Sequence, residues 1–264
     1  MKIESLKSQV DEREWQTRVD VAACYRLIAR YGMSDLVYNH ITARVPGTAD
    51  EFLINPYGML YEEITASSLH KIDLDGNILQ KPATKYGINH AGYVIHSAVH
   101  AARHDVECVI HTHTRANMAV SCLEQGLMPL TQASLRFYGR ISYHDFEGPA
   151  VEPDERVRLV EDLGTTDVML LRNHGALTCG RTVGEAFLLM QRLENACKVQ
   201  VDVLSMQAPL HMPSEESMLK TARVLGPPTV ERQGNEAKMG TWSGAMEWEA
   251  LLRQLDRTDS SFRD

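Results

Sequence analysis

Two histidines one residue apart, His111 and His113 in VECVIHTHT, are the sharpest chemical signal in the chain. In a strand, residues two apart point to the same face, so the two imidazoles can converge on one ion. The β-branched approach through Val109 and Ile110 suits a site at the end of a buried strand, with Thr112 pointing to the opposite face. The alternative is two half-buried histidines satisfied by backbone groups. A third ligand must come from far along the chain. His174 in LLRNHGAL is the candidate: it follows an apolar strand, and Gly175 allows a turn that a Cβ would hinder. A rival set lies on a helix, where His96, His100 and His104 share one face at i, i+4, i+8. Two of these could hold a metal, but the HExxH arrangement needs a Glu after the first His, and Ser97 stands there. His100 and His104 therefore read as capping or surface residues, His104 at a helix C-terminus where positive charge is favoured. Eleven histidines against five Phe and three Trp is otherwise an anomaly.

The elements that must position these residues are readable from periodicity. Val19, Ala22, Ala23, Leu27 and Ile28 recur at helical spacing within WQTRVDVAACYRLIARYG, and Gly32 is a plausible stop. From 36 to 80, LVYNHITARV, EFLINPYG and SLHKIDLDGNIL are short β-type runs divided by turn signals. A second helix is expected from His90 to His104, then the H-x-H strand, then a helix in NMAVSCLEQG ending at Gly126. DERVRLVEDLG reads as a helix with Asp154 near its start. DVMLLRNHGALTCG reads as strand, turn and strand, and VGEAFLLMQRLENACKVQVDVLSM as a long apolar helix. Beyond about 207 the pattern loosens to breakers and one amphipathic piece, WEALLRQLDR. Short strands mixed with helices favour one α/β domain over 1–264, with its core at about 15–205, an extension at 207–264 and a largely antiparallel sheet.

CVIHTHT followed by LLRNHGALTCG resembles the class II aldolase/adducin family. The 61-residue separation of His113 and His174 is close to that family's spacing. HSAVHAARHDVECVIHTHT, SYHDFEG, RNHGALTCGRTVGEAF and ENACKVQV look like adducin head domains and their bacterial relatives. The resemblance implies a three-layer α/β/α sandwich with a central, mainly antiparallel sheet. It also implies homo-oligomers, often tetramers, with sites near subunit boundaries. Relatives include sugar-phosphate aldolases, epimerases and metal-dependent decarboxylases, as well as the non-enzymatic adducins.

Carried over residue by residue, His111, His113 and His174 look like that family's metal triad. Its aldolases also carry a Glu nineteen residues before the first strand histidine; here that position is Gly92, and no acidic residue occurs from Thr84 to His104. His90 is the nearest polar candidate for a fourth contact, or it simply starts the helix. The family's aldolases place a proton-donating Tyr near 132–133, where this chain has Gln132 and Ala133. Tyr143, beside His144 and Asp145, is the nearest substitute, or a strand residue packing at an edge; Tyr143 and Asp145 are the candidates for moving the proton. YNHITAR resembles a phosphate-binding segment, which makes Asn39, His40 and Arg44 candidate substrate contacts. INPYGM resembles a second phosphate loop, with Tyr57 where a small hydroxyl residue is usual and backbone N–H groups near Gly58 able to bind an anion. Both segments are equally readable as plain turns. Asn173, beside His174, or Arg44 could orient a substrate, and the bulk of Tyr57 favours a less hydrophilic or aromatic acid.

Composition narrows the class. The chain carries 27 Lys+Arg and 35 Asp+Glu, a formal charge of −8, with no basic block, which speaks against nucleic acid or an anionic membrane as partner. No apolar run approaches a membrane span, and the charged N-terminus has no signal-peptide core. Five scattered cysteines with no CxxC pair point to a reducing cytoplasm; Cys108, Cys122 and Cys197 read as buried free thiols. The expected activity is a divalent-metal-dependent carbon–carbon lyase, aldolase- or decarboxylase-like, acting on a small carbonyl or carboxylate substrate. Zinc is the first metal expected, then manganese or iron. The alternative is a non-catalytic adducin-head-like module that retains a metal site. Against it, the sequence ends without a Lys-rich tail.

Overall fold

The computed structural model describes residues 3–148, 153–227 and 244–264. Helix α1 (Glu12–Arg30) starts where the Asp11 carboxylate accepts the Glu14 amide at 2.8 Å and stops at Gly32, whose φ is +66°. Four short strands follow, β1 (His40–Arg44), β2 (Glu51–Ile54), β3 (His70–Asp73) and β4 (Ile78–Gln80), and then helix α2 (His90–Ala102). Next come β5 (Cys108–Thr112), α3 (Arg115–Ser121), α4 (Gln132–Leu135), β6 (Ser142–His144) and α5 (Pro153–Leu163). The chain continues through β7 (Val168–Leu171), β8 (Gly175–Gly180), α6 (Val183–Ser205), α7 (Glu215–Leu225) and α8 (Ala245–Thr258).

One eight-stranded sheet runs in the order β4-β3-β2-β1-β5-β8-β7-β6, antiparallel except for the β6–β7 pair. Strand parity divides its two faces. Ile41, Ala43, Cys108 and Ile110 join the core with α1 and α6. Val109, Leu177 and Cys179 face the other way, onto Ile95 and Val99 of α2 and Leu159 and Leu163 of α5. Helices on both faces of a mainly antiparallel sheet make the expected three-layer α/β/α arrangement. His40 lies directly opposite His111 across the β1–β5 ladder, so both share the α2 face.

Three local expectations need correction. The helix after the H-x-H strand stops at Ser121, and Gly126 is a separate turn glycine at φ +62°. Helix α7 lies in the stretch that reads as loose. Its start is capped by Ser214, but only Ala222 of it is buried, so no long apolar stripe announces it. Cys122 is exposed, just past the C-terminus of α3, whereas Cys108 and Cys197 are buried as free thiols. Among the described residues no helix is long and apolar enough to cross a membrane.

Candidate metal centre

His111 sits at the penultimate position of β5, His113 one residue beyond its end, and His174 in the turn between β7 and β8. The β5–β8 ladder, with Thr112 opposite Ala176, brings that turn against the end of β5. The three rings meet, with centroids 4.6–4.8 Å apart. His113 Nε2 lies 2.8 Å from His111 Nε2 and 2.9 Å from His174 Nε2. The turn bends at Asn173, which holds φ +57°; Gly175 serves a different need, because a Cβ there would lie 2.4 Å from the Thr112 carbonyl oxygen.

Protonation tests whether these residues fit a metal. The Ala176 carbonyl oxygen can only accept, so His111 Nδ1, 2.9 Å away, carries the ring's hydrogen and Nε2 presents a bare lone pair. The Asp35 carboxylate, 3.4 Å from His113 Nδ1, selects the same tautomer there. Burial, reinforced by the neighbouring imidazoles, pushes His111 well below the ordinary imidazole range. Burial, then charges at His113 and His40, push His174 down to about 4. Burial also lowers His113, opposed by Asp35. Neutral rings aiming lone pairs at one another repel unless a shared cation lies between them. The donor set therefore fits a divalent ion held by three imidazoles, with orienting partners on His111 and His113.

Behind the cluster runs a row of interior histidines. The His40 ring lies 4.8 Å from that of His96, and Thr42 Oγ1 is 2.7 Å from His96 Nδ1 and 2.8 Å from His100 Nε2. His96 and His100 are fully buried, which overturns the surface reading of His100: α2 turns its histidine face to the sheet. His104 lies beyond the end of α2 and is exposed. The His90 side chain lies outside the described residues.

The other sequence-predicted residues divide. Asn39 is buried at φ +67°, and neither end of its side-chain amide has a partner among the described residues. Tyr57 is exposed, and its ring is 6.2 Å from that of Tyr38, which pairs with the Asp35 backbone. Gly58, at φ +115°, is needed because a Cβ would strike the Tyr86 ring at 2.7 Å. Asp145 and the exposed Asn173 line an open pocket of about 600 Å³ with Phe146 and Arg172, and the Phe146 ring is 6.4 Å from that of His174. Arg44 is not at the site. It lies at the opposite end of β1 from His40, donates to the Ala49 and His100 carbonyls and packs on Phe52. Asp35 and Arg172 escaped sequence reasoning. Asp35 sits in an irregular loop with no periodic signal, and Arg172 precedes His174 by two residues, where its sequence position was the only clue.

Tyr143 is held as an edge-strand residue. Its hydroxyl accepts the Leu127 amide at 3.1 Å, its ring lies under the Arg172 guanidinium at 4.2 Å, and it fills the space over Gly126. Tyr143→Phe should therefore cost about 1 kcal/mol of stability in a denaturant melt, the value of one hydrogen bond, and leave metal affinity unchanged.

Residues 19–201 match the family described as Class II Aldolase and Adducin N-terminal domain. A Pseudomonas aeruginosa protein named after class 2 aldolases is 49% identical over 98% of this chain and 96% of its own length. Alpha-adducin of Rattus norvegicus is 40% identical over 93% of the chain, which spans only 34% of that protein. A crystal structure of an aldolase II superfamily protein from Pseudomonas syringae superposes with a TM-score of 0.89 at 46% identity, covering 99% of this chain and 100% of that one.

Proposed function

The chain belongs to the class II aldolase and adducin family, and from that membership we propose that it is a divalent-metal-dependent carbon–carbon lyase acting on a small carbonyl or carboxylate substrate. The observation that carries this reading is the convergence of three neutral imidazoles on one point, two of them with their tautomers fixed from behind. A bound divalent ion supplies Lewis acidity there, polarising a substrate oxygen and stabilising negative charge that develops as a carbon–carbon bond breaks. Zinc is the first choice of ion, with manganese or iron next, since imidazole suits each.

The chain's own residues define what else the site does. Asp35 orients His113 through Nδ1. The free amide of Asn39 retains full hydrogen-bonding capacity for a substrate oxygen. Arg172 stands in the pocket beside His174 with Glu124, Asp145 and Asn173; its guanidinium donates to the Leu123 and Glu124 carbonyls and offsets part of the negative charge of the two carboxylates. Tyr38 and Tyr57 form an aromatic pair, which favours a less hydrophilic acid over a sugar phosphate. With Gly92 where the family's aldolases carry a Glu, that position holds no carboxylate to take a proton from a hydroxyketone. Decarboxylation needs no base to begin and is the preferred branch. Cytoplasmic residence and a tetrameric assembly follow as part of the same reading, from the reduced cysteines and the family's habit.

The test is metal content of purified protein under metal-replete conditions. About one ion per chain is expected in the wild type, and near-complete loss in His111→Ala and His174→Ala. A wild type without stoichiometric metal sinks the lyase reading. If metal is bound, a panel of hydroxyketone phosphates and keto or aromatic acids screens for carbon–carbon cleavage. Inertness on the whole panel would favour the second reading, a metal-bearing binding module like the adducin head, which the 40% identity to alpha-adducin supports.

A further inference from the structure

Gly92, in the first turn of α2, lies against His40. A Cβ built on it would lie 1.9 Å from His40 Cε1 and 2.3 Å from His40 Nε2. The imidazole of His40 therefore occupies the volume that any side chain at position 92 would fill. That imidazole is buried, and its Nε2 has no hydrogen-bond partner among the described residues. An orphaned buried nitrogen is costly unless a ligand completes it.

The placement of His40 points to which ligand. It stands directly across the β1–β5 ladder from His111, on the same sheet face, with ring centroids 6.2 Å apart. The ring is also braced from behind: His96 packs against it at 4.8 Å and is itself fixed by Thr42. A braced imidazole with a free Nε2 beside three converging nitrogens is built to meet what they hold.

We propose that His40 is the fourth imidazole of the metal centre, a positioning residue that occupies the space of a side chain at residue 92 and engages the ion's remaining oxygen ligand through Nε2. This rests on the metal reading above and goes beyond it, because it makes residues 40 and 92 one reciprocal site: a large polar group on one requires a small residue on the other.

The reciprocity supplies the test. Co²⁺ alone serves as probe, read by chelator-competition affinity and by the visible absorption band of the bound ion. His40→Ala should fold, lower Co²⁺ affinity about tenfold or more, as loss of an orienting partner does, and shift the band. Gly92→Glu alone should be poorly folded, since its Cβ has no room. The double variant, His40→Ala with Gly92→Glu, should fold and recover most of the lost affinity, because a carboxylate then enters the vacated space. A His40→Ala protein with wild-type affinity and an unshifted band overturns the proposal while leaving the metal reading intact. So does a double variant no better than the poorer single. A wild type that takes up no Co²⁺ overturns the metal reading itself, and the proposal with it.

Discussion

Metal-free protein taken from pH 7 to pH 5 should lose most of its stability, well above the range in which carboxylates usually drive acid unfolding. His40, His70 and His100 are almost wholly shielded from solvent. Burial holds His40 and His70 down to about 4 and His100 to about 3. In the unfolded chain each returns to an ordinary value of about 6.5. Below that pH the unfolded chain takes up protons the folded one refuses, so proton binding favours unfolding. The stability is fully present above about 6.5 and drains as pH falls toward 4. Each such proton weighs roughly 1.4 kcal/mol per pH unit, so three impose roughly 4 kcal/mol per unit once the unfolded histidines are charged, against a total of about 5–15 kcal/mol for a typical domain. His96 and His111, pushed well down by the same burial, act in the same sense. Circular dichroism during acid titration, with denaturant melts at each pH, measures the slope. Neither ring nitrogen of His70 has a partner among the described residues, so His70→Leu should be neutral or stabilising at pH 7 and remove one proton's share of the slope. Stability that stays flat from pH 7 to pH 5 would show that these rings are not held neutral.

Gly175→Ala should be severely damaging for a single added methyl group, because what it meets is backbone. Its Cβ would lie 2.4 Å from the Thr112 carbonyl oxygen and 3.1 Å from His113 Cδ2. A flexible side chain could move aside, but a backbone carbonyl in the β5–β8 ladder cannot move without parting the strands. The expected cost is about 2–3 kcal/mol in a thermal or denaturant melt, the upper range for overpacking. The larger effect is on geometry. Parting β5 from β8 separates His111 and His113 from His174, so metal affinity should fall by about tenfold or more, since such sites tolerate only small displacements. Gly87→Ala is the control, because nothing lies within 4 Å of its Cβ and it needs no positive φ. If the two variants behave alike, close approach is not what position 175 requires.

These two cases show where sequence reasoning reaches and where it stops. The H-x-H pair is legible because strand periodicity is local: two residues on one face need no knowledge of the rest of the fold. His174 is legible through its place after an apolar strand and through family resemblance, but its meeting with His113 depends on β8 pairing with β5. Gly175 reads as a turn residue, yet the turn bends at Asn173 and the glycine admits a neighbouring strand, a contact no local pattern encodes. Arg44 reads as a partner of Asn39 and His40 because YNHITAR resembles a phosphate-binding segment. Four residues of extended strand carry it roughly 13 Å away, to the other end of the sheet. His100 reads as a capping or surface residue because the helix lacks the Glu of a metal-binding pair; Thr42, on a strand nearly sixty residues earlier, is what makes its burial tolerable.

The Thr42 hydroxyl also imposes a counting rule of the kind that governs ice. It owns one hydrogen and stands between two imidazole nitrogens, His96 Nδ1 and His100 Nε2. If it donates to His96, it must accept from His100, and both rings then carry their hydrogen on Nε2. If it donates to His100, both carry it on Nδ1. The two rings therefore switch tautomer together or not at all. A single interior hydroxyl gives this row of neutral groups a direction, and ¹⁵N chemical shifts of the two imidazoles would reveal which of its two settings the protein keeps.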